Sequence, residues 1–249
     1  MNFKKLAYFV LFATFLLGTA ACKMDSTRAV DAGLDLASAA TISDAELKQD
    51  AKQMRTLGDS QNKVAPAKNK YAKRLKAITK DLKNEDGLDL NYKVYLTDEV
   101  NANATPDGSI RVYSGLMDLM NDDELFFVIG HEIGHVKNGD SLDAMRVAYA
   151  ASAGRKGLSA ANNSAAALSD SVLGDLLETF VNAQFSQSQE SSSDVYGYNL
   201  MKKYNKNPKA AVSALQKLNS LGESGGFLSS HPNSGDRAKQ IEQMILQNR

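Results

Sequence analysis

Asp123-Glu124-Leu125-Phe126-Phe127-Val128-Ile129-Gly130-His131-Glu132-Ile133-Gly134-His135-Val136 is the stretch on which the reading of this chain turns. Leu125, Val128, Ile129, Glu132 and Val136 follow helical spacing. Asn121 stands three residues before Glu124, the pattern of a capping box with Asn in place of Ser or Thr. On such a helix His131 and His135 lie one turn apart on one face, with Cβ atoms about 5–6 Å apart. Both can then hold one zinc ion at about 2.0–2.1 Å per Zn–N bond. Glu132 is offset around the helix, where it can act as general base on a water at the metal's open side. The alternative is an ordinary buried helix with two core histidines, which would need other partners. The chain has three histidines, and two of them bracket a glutamate at this spacing. The H-E-x-x-H pattern therefore points to a zinc peptidase.

Working outward, the 249 residues are 43% hydrophobic and carry 29 basic and 29 acidic side chains. That suits one globular domain with appendages, or at most two small ones. The neutral balance gives no reason to expect a nucleic-acid partner. Cys22 is the sole cysteine, so no intrachain disulfide forms.

The first residues have the layout of an export signal: Lys4 and Lys5, an apolar run from Leu6 to Leu17, then Gly18-Thr19-Ala20-Ala21 before Cys22. The run is shorter than the ~20 residues of a membrane-spanning helix. Residues 1–21 are expected to be a signal peptide and 22–41 a polar tether. A cysteine directly after the cleavage region resembles a bacterial lipoprotein signal, with Cys22 as the lipidated first residue, although Thr19 stands where leucine is usual. The other reading is a plain secretory signal with a stray cysteine. Lys23 in place of aspartate, by resemblance to sorted lipoproteins, implies an outer-membrane anchor facing the periplasm.

Within the remaining chain, Ser43-Asp44-Ala45-Glu46 predicts a capped helix running to about Leu57, and Pro66 the start of a second with Tyr71, Leu75, Ile78 and Leu82 as its stripe. Tyr92, Val94 and Leu96 alternate with Lys93 and Tyr95, as in a strand with one buried face. Asn101 to Thr105 and Ile110 to Tyr113 flank Pro106-Asp107-Gly108, strong turn chemistry. The first of these strands, with Asn101, Ala102, Asn103 and Ala104, is too polar and small for a central position. It is either a plain surface hairpin or an edge that templates an extended peptide. Helical stripes follow across 141–161, 168–185, 189–204, 208–218 and 234 to the end. The glycines at 222, 225 and 226 mark a link.

Catalytic zinc needs a third protein ligand. The candidates are His231, an aspartate or a glutamate, and Glu190 is favoured because Glu190 and Asp194 share one helical face among uncharged neighbours. Asp194 could accept the outer N–H of a ligating histidine. On the residues alone, two solvated acids on an exposed helix are the better reading, since acids on helices are usually surface residues. Arg237, six residues after His231, could pair with Asp194.

His131-Glu132-Ile133-Gly134-His135, Glu190-x-x-x-Asp194, His231-Pro232-x-x-x-x-Arg237 and the stretch from Asn101 to Asp118 together resemble the HtpX/BepA-type zinc metallopeptidases, in particular their lipoprotein branch. The resemblance spans about Ala65 to Ile245. It implies an α+β, mostly helical, zincin-like domain over residues 42–249, with a small antiparallel edge sheet beside the H-E-x-x-H helix. It also implies one zinc per chain, Glu190 as third ligand, Asp194 behind a histidine and Asn101–Thr105 as substrate-side strand. His231 is placed near the metal, at the open position or against the oxyanion; otherwise it is a helix-start histidine. The chain departs from the pattern at Ser192, where glutamate is frequent, and at Asp140, where relatives often carry histidine.

The activity expected is endoproteolysis of unfolded or misassembled envelope proteins at the outer membrane, from a lipid anchor facing the periplasm, with an envelope protein as a further partner. The alternative is a non-catalytic zinc-containing chaperone or assembly factor. The intact Glu132 disfavours it, since a pure binder needs no base. Zinc storage is disfavoured because one site holds one ion.

Overall fold

The computed structural model describes residues 42–156, 168–222 and 226–247. The export signal, Cys22, the tether, the Asn162-Asn163-Ser164 loop and Gly225 lie outside the described residues. Helix α1 (Asp44–Gln61) opens with the expected Ser43–Glu46 capping box, but continues past Leu57. It does so because its last turn is held from outside: Gly58 faces Leu177 and the Tyr95 hydroxyl, and Asp59 accepts from Arg111. Helix α2 (Lys70–Ile78) starts later than expected, capped by the Asn69 side chain. Pro66 instead contributes a carbonyl to the preceding turn.

Strands β1 (Asn91–Tyr95), β2 (Ala102–Ala104) and β3 (Ser109–Tyr113) form one sheet in the order β1-β3-β2. The β2–β3 pair is antiparallel, with Asn103 opposite Arg111. The β1–β3 pair is parallel, with Lys93 opposite Arg111, so the sheet as a whole is mixed. After β1 the chain crosses to the far edge before β2, which leaves the central slot to β3. Val94, Ile110, Val112, Ala102 and Ala104 join the main core on one face. On the other face Asn91 and Lys93 stay exposed, as the alternation in β1 suggests, but the strand's last residue does not. Tyr95 is buried as fully as Val94, because α1 covers that side.

Helix α3 (Ser114–Leu119) leads into α4 (Asp122–Asn138), the H-E-x-x-H helix, which is capped as expected by Asn121 and Glu124 and ended by Gly139 in the left-handed conformation. Helices α5 (Asp140–Lys156), α6 (Asp170–Val181), α7 (Gln187–Lys203), α8 (Lys209–Asn219), α9 (Phe227–Ser230) and α10 (Ser234–Gln247) follow. The main core lies between the sheet, α4, α7, α8 and α10. A second core joins Leu47, Ala51 and Met54 of α1 to Met145 and Ala148 of α5 and Leu173, Leu176 and Phe180 of α6. No helix among the described residues is long and apolar enough to cross a membrane.

The contact that positions the site is α4 on α7. A Cβ on Gly130 would stand 3.0 Å from the Gly197 Cα, and one on Gly134 would stand 2.9 Å from the Ser193 Cα. Three glycines thus let two backbones touch, and side chains one turn away reach across the seam.

Candidate metal centre

His131 and His135 project from α4 as their spacing demands, and both are buried. Each has its outer nitrogen committed. His131 Nδ1 donates to Asp194 Oδ1 at 2.9 Å, and His135 Nδ1 donates to Asp140 Oδ2 at 2.9 Å. A carboxylate only accepts, so both rings carry Nδ1–H and turn Nε2 inward. The two Nε2 atoms are 3.0 Å apart.

Glu190, from the first turn of α7, enters between them. Its Oε1 is 3.2 Å from His135 Nε2, and its Oε2 is 3.6 Å from His131 Nε2. Four potential ligand atoms, from His131, His135, Glu190 and His231, lie within 4.8 Å of one another, all on buried residues. Two inward imidazole nitrogens and a buried carboxylate fit a small divalent cation with nitrogen and oxygen ligands. Among the described residues, Glu190 Oε2 has no aligned hydrogen bond, although Arg237 Nη1 lies against it as an ion pair.

The local field favours cation binding. Burial holds His131 below the usual histidine range, with Glu190 opposing that shift. Burial also opposes charge on His135, but hydrogen bonds to Asp140 and Glu190 outweigh it and raise this ring to about 9. An incoming cation must displace that proton. Burial would push the Glu190 carboxyl up, yet His231 and His131 hold it far below the usual range, so it stays anionic.

Behind the ligands, Arg237 Nε and Nη2 fork onto Asp194 at 2.7 Å each. Burial works against the Asp194 charge, and Arg237 overcomes it. The expected Arg237–Asp194 pair therefore exists, and it fixes the orientation of His131. Asp140 was visible in the sequence only as a departure from the family pattern. It sits just after the left-handed Gly139, which turns α5 so that this carboxylate meets His135. Phe185 stacks on His135 at 3.9 Å and Phe227 on His231 at 4.1 Å. These aromatic walls gave no sequence signal, since nothing in the chain beside either residue marks what its ring faces.

His231 is not a helix-start residue. Its Nδ1 lies 2.9 Å from Glu190 Oε1 and 3.2 Å from His131 Nε2, and its Nε2 is 3.5 Å from Glu132 Oε1. Glu132 is buried beside this cluster, and its Oε1 has no hydrogen-bond partner among the described residues.

Strand β2 runs past α4 with its outer edge unpaired by any other strand. The bonds Thr105 N–H to Ser109 and Tyr113 N–H to Asn101 set the ladder's alternation. Asn101, Asn103 and Thr105 turn their main chain toward β3, so Ala102 and Ala104 turn theirs outward. The Ala104 carbonyl accepts from Ser141 Oγ at 3.0 Å. The Val100 carbonyl accepts from Phe227 N–H at 2.9 Å.

A buried His-His-Glu donor set with a second glutamate beside it, on a mostly helical domain with a short edge sheet, is the arrangement of a metallopeptidase. The chain belongs to peptidase family M48, whose profile matches residues 69–245. It is 44% identical to the metalloprotease YcaL of Escherichia coli K12 over 89% of each chain. It is 40% identical to the metalloprotease LoiP of the same organism over 97% of this chain and 96% of that one. An HtpX protease homologue of Salinibacter ruber is 29% identical over 59% of this chain and 65% of that relative. The protein is a metalloprotease of this family.

Proposed function

We propose that the protein is a zinc endopeptidase in which His131, His135 and Glu190 hold the metal and Glu132 is the general base. The observation that carries the reading is the convergence of the two Nε2 atoms and the Glu190 carboxylate, beside a Glu132 oxygen that has no hydrogen-bond partner among the described residues. Zinc held there would supply Lewis-acid polarisation of the scissile carbonyl and acidify water. Glu132 takes the proton from the attacking water and passes it to the leaving amine. Asp194 and Asp140 keep the two imidazoles in the ligating tautomer, and Arg237 holds Asp194.

An extended peptide would pair with the outward main chain of β2, at the Ala102 N–H and carbonyl and the Ala104 N–H. His231 occupies the side of the cluster from which substrate would approach, so the described arrangement is read as a closed form that opens when the His231 turn withdraws. The N-terminal pattern ending in Cys22 supports lipid anchoring at the outer membrane, facing the periplasm. Unfolded or misassembled envelope proteins are the substrates that such a position and main-chain recognition suit.

Casein cleavage by Glu132→Gln tests the reading. Zinc content equal to wild type with cleavage abolished is expected. Undiminished cleavage would overturn it, and preserved envelope function in this variant would favour the chaperone alternative.

A further inference from the structure

We infer that Arg55, on the helix that precedes the family-matched residues, is a positioning residue for substrate: it fixes β2 from behind so that the strand's outer edge can receive a peptide. The inference rests on the reading of β2 as the substrate template. It adds a residue that neither the H-E-x-x-H motif nor the matched segment contains.

Strand β2 is three residues long and, among the described residues, paired on one side only. Short strands of this kind hold their place poorly without further contacts. A peptide that adds to it needs the Ala102 and Ala104 main chain at fixed positions, since small misplacements near a reacting centre are costly. The Ala102 and Ala104 side chains enter the main core and are too small to anchor much. Asn103 is the β2 residue that projects to the opposite face, toward α1.

There Arg55, only 3% exposed, donates from Nη2 to Asn103 Oδ1 at 2.7 Å and from Nε to Thr105 Oγ1 at 3.4 Å. One planar guanidinium thus spans the middle of β2 and the residue that follows it. Both partners are neutral oxygens, and burying a cation on them is worthwhile only with good geometry.

The platform that carries Arg55 is firm. One turn on, Asp59 accepts from Arg111 Nε at 2.7 Å and Nη2 at 3.0 Å, from Lys93 Nζ at 2.7 Å and from the Tyr95 hydroxyl at 2.8 Å. Leu47, Ala51 and Met54 pack the rest of α1 onto α5 and α6. Docking of α1 on β1 and β3 therefore has its own contacts through Asp59, whereas Arg55 bonds to β2 and its turn and also lies against the Tyr95 hydroxyl of β1.

The test uses the full-length, zinc-loaded protein and a dye-quenched casein peptide. In Arg55→Met, which keeps the aliphatic bulk, KM should rise about tenfold, the loss of one well-aligned charge-assisted hydrogen bond. kcat and zinc content should stay at wild-type values, and Arg55→Lys should fall between. Asp59→Asn loosens the same helix from β1 and β3, so it should lower the melting temperature and leave KM unchanged. An unchanged KM in Arg55→Met, or an equal rise in Asp59→Asn, would overturn the inference. If Arg55→Met does not fold, the KM of Arg55→Lys decides. Ala102→Pro removes an outward N–H from the edge and separates the two levels of the argument. Wild-type KM in a folded Ala102→Pro would sink the edge-strand reading itself. A raised KM there with an unchanged one in Arg55→Met would sink the Arg55 inference alone.

Discussion

Gly134 and Ser193 meet backbone to backbone, so closely that a Cβ on Gly134 would stand 2.9 Å from the Ser193 Cα. Glu190 lies one turn before Ser193 and Asp194 directly after it. The approach of these two backbones is what lets both acids reach His131 and His135.

Gly134→Ala should therefore damage the metal centre without touching a ligand. Overpacking of this kind costs about 1–3 kcal/mol, and the helices can separate only by withdrawing Glu190. A lower melting temperature with zinc content below one per chain is the expected pair of results. Gly174, on α6, has nothing within 4 Å of a Cβ, so Gly174→Ala should stabilise by about 0.5–1 kcal/mol. A neutral Gly134→Ala would refute the packing argument.

The ligands and their supports should separate by severity. Glu190→Gln removes the anionic oxygen and should lose zinc outright. Asp194→Asn keeps a hydrogen-bond acceptor behind His131 and should weaken metal affinity about 10–100-fold. Asp140→Asn should resemble Asp194→Asn, since it stands behind His135 in the same way. Zinc titration against a competing chelator ranks all three. Equal affinity in Glu190→Gln and wild type would place the third ligand elsewhere.

His231→Ala should speed hydrolysis at neutral pH with zinc content unchanged. A closed form favoured by about 1.4 kcal/mol holds nine-tenths of the molecules, and abolishing it raises the rate about tenfold. A fall in kcat at constant zinc content would instead assign His231 to the transition state.

Asp59 makes stability depend on pH. Burial would raise its pKa, but hydrogen bonds from Arg111, Lys93 and Tyr95 prevail and bring it from 3.8 down to about 2. The folded state therefore releases this proton more readily than the unfolded one. The resulting stabilisation is fully present above the unfolded pKa near 4 and disappears as pH falls toward 2. Urea unfolding of wild type and Asp59→Asn should differ at pH 6 and converge as pH approaches 2. A gap that stays constant over that range would show that the Asp59 charge contributes nothing.

Cys22→Ser should release the protein from membranes. Stable anchoring needs more than one acyl chain, each buried CH₂ contributing about 0.8 kcal/mol, and the substitution removes the attachment point. Continued fractionation with membranes after a high-salt wash would rule out the lipid anchor as the main attachment.

The parts of the centre legible in the sequence are those set by local geometry. Helical periodicity alone puts His131 and His135 on one face with Glu132 offset, and Asn121 and Glu124 mark where that helix begins. The Pro106-Asp107-Gly108 turn likewise implies the β2–β3 pair. Glu190 and Asp194 were legible only in part, because their spacing shows a shared face but not what the face meets.

Three-dimensional packing decided the rest. Whether α7 meets α4 depends on Gly130, Gly134 and Gly197 opposing one another, a relation between residues more than sixty apart that no local pattern encodes. The burial of Tyr95 at the end of β1 depends on α1 returning over the sheet, and the parallel β1–β3 pairing depends on where the chain crosses. Asp140, Phe185, Phe227 and Arg55 acquire roles only from what lies opposite them. By itself the sequence determined the shared face of His131 and His135, the glutamate between them and the hairpin, since a helix or a turn is specified by neighbours along the chain. Tertiary structure decided the approach of Glu190 and His231 to the two histidines and of Arg55 to β2, since burial and hydrogen-bond partners are set by segments brought together from afar.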